Sequence, residues 1–154
     1  MISYNRPIEE LIHDVELEKI DISEYEGFIY QIDLPSLGKS YIGKKNFFSK
    51  TNVKLGKKEK AKLPTKPGRK PSKKKVIKES NWREYVSSSD MVKKIIGSDE
   101  GKDYKMTVLG FCKGKKELTY YEAKLLFAND VLEDSDRWLN DNILAKFYHS
   151  DLKS

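Results

Sequence analysis

The sequence has a single cysteine, Cys112, which excludes an internal disulfide and any zinc site built on paired cysteines. Its two histidines, His13 and His149, lie at opposite ends of the chain without metal-ligand spacing and read as surface or satisfied histidines. No apolar run approaches the roughly 20 residues that span a bilayer, so no membrane-crossing helix is expected. Residues 1 to 19 carry acids through their one apolar stretch and lack a small-residue cleavage pattern. They do not read as a signal peptide, and the expected location is cytoplasmic. No internal repeat is visible. Acidic residues are scarcest in one segment: residues 44 to 78 hold 15 of the 30 Lys and Arg but only one of the 24 acids, Glu59, a local charge of +14. The other 119 residues sum to −8, so the net +6 of the chain hides a strong asymmetry. A field confined to one segment implies a local anionic partner.

What is present suits one compact domain: 154 residues, 38% hydrophobic and 35% charged, with a modest core and a large wetted surface. In residues 7 to 20, Ile8, Leu11, Ile12 and Val15 recur at helical spacing, Pro7 fits the first turn, and Glu9 and Glu10 favour the positive helix end. Residues 1–24 are thus expected to form a helical extension. Phe28, Tyr30 and Ile32 alternate with Ile29, Gln31 and Asp33, and the turn residues of LPSLGKS lead into SYIGKK, a β-hairpin pattern. From Asn46 to Lys78 lysine, glycine and proline dominate, and a flexible or extended loop is expected without a partner. Ser87 to Ser89 can cap a short helix that runs to Ile96 and ends at Gly97. Tyr104, Met106 and Val108 alternate with Lys105, Thr107 and Leu109 as a third strand, and LTYYEAKLLFANDVL reads as a helix capped by Thr119. DRWLNDNILAKFY reads as a second, looser helical or mixed segment.

Two tripeptides, Phe28-Ile29-Tyr30 and Tyr41-Ile42-Gly43, stand 11 residues apart on the two arms of the hairpin, so both phenols can face one cleft. Aromatic residues are common in strands for packing alone. The pairing, however, resembles the GIY-YIG nuclease signature, with Phe28 in place of the leading glycine and Gly27 just before it. The order hairpin, helix, third strand, glutamate-bearing helix is similar to that family over most of the chain after residue 26. The resemblance implies an α/β (α+β) domain with a three-stranded antiparallel sheet and flanking helices over residues 25–154, with a basic insertion at 46–80. It implies that Glu122 is the metal-binding glutamate, Lys44 a catalytic lysine and Asn142 the late asparagine, with Asn140 as the alternative. A catalytic arginine about ten residues beyond YIG would fall on Thr51, so Arg83 in NWREY is the best substitute and Arg69 in PGRK the second. SSS before the short helix and TYYE later look most like small free-standing phage nucleases of the Seg homing type.

Cleaving a phosphodiester needs an oriented or activated water, charge stabilisation of the transition state and help for the leaving oxygen. The resemblance implies Mg²⁺ or Mn²⁺ held at Glu122, with Tyr30 or Tyr41 deprotonating or orienting the water and Arg83 on the phosphate oxygens. A free tyrosine has a pKa of about 10, so a phenol serves as a base only where positive charge favours its phenolate. The residues also admit plainer roles. Glu122 follows Thr119 at capping-box spacing, the tyrosines suit core packing, and Asn142 suits a backbone cap. In and beside the basic segment, Lys45, Lys57, Lys58, Arg69, Lys70, Lys73, Lys74 and Lys75 are candidate contacts to DNA phosphates. The expectation is a metal-dependent DNA endonuclease, monomer or homodimer, in a host cytoplasm if phage-encoded. A non-catalytic nucleic-acid-binding protein on a degenerate fold is the alternative, and an accessory protein for an acidic partner is the third.

Overall fold

Large side chains recur at every second residue in Phe28, Tyr30, Ile32 and in Met106, Val108, the period of a strand, and these segments pair with the segment around Tyr41 into one sheet. The structure, a computed structural model, describes residues 2–3, 21–63, 68 and 71–152. In chain order its elements are strands β1 (Ile2–Ser3), β2 (Gly27–Leu34), β3 (Lys39–Asn46) and β4 (Phe48–Lys54), helix α1 (Lys57–Ala61), strand β5 (Lys73–Glu79), helix α2 (Asp90–Ile96), strand β6 (Lys105–Cys112), helix α3 (Lys115–Ala128), and the two-residue strands β7 (Asn142–Ile143) and β8 (Phe147–Tyr148). The chain divides into two compact units, Met1–Phe47 with Asn81–Ser154, and Phe48–Ser80. The helix expected at residues 7 to 20 lies outside the described residues, as do Arg69 and Lys70.

In the first unit the strand order is β1-β6-β2-β3, every pair antiparallel. The three long strands are those expected, and the mixed α+β class is observed. Tyr30 pairs with Gly43 and Ile32 with Tyr41, so Phe28, Tyr30, Ile32 and Tyr41 share one face while Ile29, Ile42 and Lys44 point to the other. Against β6 the register shifts by one residue between Ile29 and Tyr30, leaving Leu109 as the extra residue. This bulge reverses the alternation beyond it. Met106 and Val108 therefore lie with Tyr30, and Gly110 and Cys112 with Ile29.

Both faces are covered. On one, Ile29, Ile42 and Cys112 pack with Leu118, Ala123 and Leu126 of α3 and with Val131, Leu132, Trp138 and Ile143. On the other, the Phe47 ring lies 5.0 Å from Trp82 and 5.3 Å from Phe28 and stacks on Phe111 at 6.1 Å. Each fully buried side chain of this size contributes about 1.5–3 kcal/mol, so the hairpin is held from two sides.

The sheet edge at β3 is also covered, and of the helical or mixed readings of the segment that covers it the structure excludes the helical one. Residues 136–148 do not form a helix. The Ser40 amide donates to Arg137 O at 2.7 Å, the Leu139 amide donates to Ser40 O at 2.9 Å, and Ser40 forms a parallel bridge with Trp138. The outward backbone groups of an edge strand need partners, and burying Trp138 brings this segment alongside to supply them. Beyond it, β7 and β8 form a small hairpin whose turn residues Leu144 and Ala145 have φ of 58° and 52°.

Two helix boundaries differ from or refine expectation. Ser89 is the cap of α2, its hydroxyl accepting from the Val92 amide at 3.4 Å, and Gly97 ends that helix at an ordinary φ of −75°. α3 starts at Lys115 after Gly114, so Thr119 is not its cap but lies one turn inside, donating to Lys115 O at 3.1 Å. That removes the capping-box role for Glu122, which requires Thr119 at the cap.

In the second unit, where a flexible or extended loop was expected, the extended backbone is paired into a ribbon. β4 and β5 pair antiparallel over seven residues, from Phe48 opposite Glu79 to Lys54 opposite Lys73, with α1 in the connection. Most of its side chains are exposed. Thr51, Val53, Val76 and Ile77 supply strand preference that the lysines mask in the sequence. Backbone hydrogen bonds in the ladder, more than a core, hold the ribbon.

Candidate active site

The site forms where β3, as the outer strand, lets side chains from both sheet faces reach one cleft. The cleft holds about 510 Å³, and Tyr41, Lys44, Ser88, Glu122, Asn140 and Asn142 are among its lining residues. Asp90 and Asp141 add two further carboxylates to the wall.

Glu122 occupies an unusual place in α3. Leu118 and Leu126, four residues to either side, are buried in the core against the sheet, so helical periodicity calls for an apolar residue between them. A carboxylate stands there instead. Burial pushes its pKa up, and the nearby Lys44 charge offsets this only in part. The Lys44 ammonium donates to the Thr119 hydroxyl at 2.9 Å, which fixes it over the first turns of α3.

Tyr41 lines the cleft from the other side of β3, its hydroxyl 3.4 Å from that of Ser88. Burial raises its pKa, and the charges that Tyr85 and Glu122 can carry raise it further. Tyr30 lies behind it, with ring centroids 6.4 Å apart and 0% of its surface exposed. The Tyr30 hydroxyl donates to Tyr85 at 3.5 Å, and burial drives its pKa far above the ordinary tyrosine value. Both phenols are therefore neutral near pH 7. The structure does not bring Tyr30 to the cleft wall.

Asn140 is 8% exposed and clamps β3: its side-chain oxygen accepts from the Ile42 amide at 3.2 Å and its amide donates to the Ile42 carbonyl at 2.8 Å. Asn142 also lines the cleft, while its oxygen accepts from the Ala145 amide at 3.0 Å across the strained turn. Arg83 is exposed and stacks on the Trp82 ring at 4.4 Å, and the cleft lining does not include it. Thr51, where the arginine spacing falls, is part of β4.

Among the candidate DNA contacts, Lys45 sits 4.3 Å over the Tyr85 ring, its pKa lowered by burial and by Lys93. Lys57 and Lys58 are exposed on α1, Lys73 and Lys75 are exposed on β5, and Lys74 pairs with Glu59 at 2.6 Å. His149 is a satisfied histidine, its Nδ1 at 2.9 Å from Leu132 O.

A family model described as "Putative endonuclease segE, GIY-YIG domain" matches residues 11–143. The chain belongs to this GIY-YIG family. No curated protein and no solved structure matches it. Within this GIY-YIG domain, Tyr85, Ser87 and Lys93 are parts of the site's surroundings that sequence reasoning missed. Ser87 is fully buried and stabilises the ionised forms of both Tyr30 and Tyr41. The serine run gave a signal, read as a helix cap and as part of the resemblance but not as a partner of the phenols, and Tyr85 has no motif of its own. Among the described residues no group of three or more His, Cys, Asp or Glu could hold a metal ion. The donor chemistry of the half-buried Glu122 carboxylate, in a roomy polar cleft whose other two carboxylates, Asp90 and Asp141, are exposed, suits a hard cation that keeps its water shell and completes its coordination with substrate phosphate.

Proposed function

We propose that the chain is a metal-dependent DNA endonuclease, of the free-standing nicking or homing kind, that hydrolyses phosphodiesters in the cleft between β3 and α3. The observation that carries this reading is Glu122, a carboxylate set in the apolar stripe of α3 and aimed at the cleft beside Lys44 and Tyr41. A helix does not gain stability from a desolvated carboxylate there, so the residue points to chemistry. Glu122 would hold Mg²⁺ or Mn²⁺, which when bound supplies charge stabilisation to the phosphate and to the leaving oxygen.

The remaining work falls to the chain. The neutral Tyr41 hydroxyl, held by Ser88, hydrogen-bonds the attacking water and orients it. Tyr30, behind it, fixes the Tyr41 ring and acts as a positioning residue. Lys44 supplies positive charge toward non-bridging oxygens. One water is consumed: its oxygen bonds to phosphorus, a P–O bond to one sugar breaks, and the products are a phosphomonoester and a hydroxyl that takes up the water's proton. Asn140 holds β3 in register for this. The lysines of the second unit neutralise DNA phosphates, releasing counterions and making affinity salt-dependent.

The test is plasmid nicking with and without Mg²⁺, beside Glu122→Gln. Cutting that requires the metal and is lost in the variant supports the reading, and cutting unchanged in the variant removes Glu122 from the mechanism. The position of Arg83, stacked on Trp82, favours a second reading, a DNA-binding protein without catalysis. That reading wins if the protein shifts DNA in a salt-dependent way and never nicks it.

A further inference from the structure

The second unit is built as a two-stranded ribbon with two unlike faces. Pairing places Asn52 opposite Lys75 and Lys54 opposite Lys73, all four on one face by the two-residue period of strands. The other face presents Ser49, Thr51, Val53 and Val76 with two lysines, Lys78 and Lys74, the latter paired with Glu59. Asn52, Lys54, Lys73 and Lys75 are all exposed. Like charges directly opposite across a ladder repel and destabilise the pair, so the Lys54–Lys73 pairing is a cost that an anionic occupant of this face would relieve. Lysines alone read only the phosphate backbone. Asn52 adds a group of another type, since an asparagine amide both donates and accepts and can bridge adenine N6 and N7.

The dimensions also fit. The DNA major groove admits a two-stranded β-ribbon. Seven paired residues at about 3.3 Å each extend about 23 Å, roughly the rise of six or seven base pairs. We propose that the β4–β5 ribbon enters the major groove of duplex DNA with its Asn52 face inward, so that Asn52 reads base edges while Lys54, Lys73 and Lys75 hold the flanking phosphates. The ribbon is then the specificity-determining part of the nuclease. This deepens the DNA-cleaving reading above and rests on it.

The test uses the full chain in EDTA, selecting bound duplexes from a randomised pool. A base preference centred on the position facing Asn52, within a footprint of about six base pairs, is expected. Asn52→Ala should flatten preference at one position by about tenfold, with Thr51→Ala on the opposite face leaving that preference intact. The Lys73→Ala, Lys75→Ala double variant should weaken all sequences alike and reduce the salt slope by about 1.8. Dimethyl sulfate methylation at guanine N7, in the major groove, should block binding. The inference is overturned, with the nuclease reading intact, if DNA binds without any base preference, if Asn52→Ala leaves the preference unchanged, or if only minor-groove adenine N3 methylation interferes. A chain that binds no duplex at all at low salt overturns the DNA reading itself, and this inference with it.

Discussion

Tyr30 stands directly opposite Gly43, and its ring fills the place that a side chain on Gly43 would occupy: a Cβ there would meet Tyr30 Cζ at 2.6 Å, with the phenol oxygen closer still. The second tripeptide ends in glycine because the first ends in tyrosine. Gly43→Ala is expected to destabilise the chain by about 1–3 kcal/mol, read as a lower urea midpoint. In a Tyr30→Leu background, which removes the clashing ring atoms, the same change should cost less. Equal costs in both backgrounds would mean the glycine is needed for another reason.

Asn140 and Asn142 should separate by stability. Asn140→Ala leaves both the Ile42 amide and carbonyl without their partner in a buried setting, a loss of about 2–4 kcal/mol at 1–2 for each group. Asn142→Ala removes one exposed turn bond and should cost about 1 kcal/mol or less. Urea denaturation of the two variants decides, and the reverse ranking would refute the clamp.

These contrasts show what was legible beforehand. The hairpin and third strand were readable because Phe28, Tyr30, Ile32 and Met106, Val108 keep a two-residue period that marks one sheet face, although both faces are covered. Tyr41 and Glu122 were readable through their tripeptide and helix, and the cleft contains both. The depth of Tyr30 was not, since period two assigns a face and not the number of rings packed over it. The late hairpin escaped because its turn uses Leu144 and Ala145 at positive φ where Asn-Gly would announce it. The β4–β5 ribbon escaped because its strands carry lysines on exposed faces, and composition there reports solvation more than backbone pairing.

The positive φ of Ala145 gives a stability test. A left-handed conformation costs a residue with a Cβ about 1–2 kcal/mol, and Ala145 is exposed, with little packing to lose. Ala145→Gly should therefore raise the thermal midpoint, against the usual direction for a glycine substitution. A lower midpoint would show that the turn is held by packing on the alanine methyl.

Glu122 sets function against stability. Its pKa is raised in the folded chain, so the protonated form is the one folding favours. The stability this gives is full below the ordinary glutamate range and is lost as pH rises through the folded pKa. At pH 7 the ionised carboxylate is a burden, and Glu122→Gln should melt at a higher temperature than the parent while losing nicking. The difference should shrink as pH falls toward 4.5. Added Mg²⁺ should raise the melting point of the parent and not of the variant. A variant less stable than the parent at pH 7 would mean that the carboxylate makes favourable contacts outweighing its desolvation.

The pH profile of cleavage distinguishes the two roles open to Tyr41. Burial, Tyr85 and Glu122 all push its pKa upward, so the phenol stays neutral well past pH 9. Were its phenolate the base, the rate would climb about tenfold per pH unit from 7 to 9. A neutral phenol that only orients the water predicts a different curve: a rise on the acid side as Glu122 ionises, above the ordinary glutamate pKa because burial delays it, then a plateau. Tyr41→Phe should lower that plateau by about 100-fold, the scale of misplacing a reactant, without changing the shape. A wild-type rate that keeps rising to pH 9, with the slope abolished in Tyr41→Phe, would make Tyr41 the base.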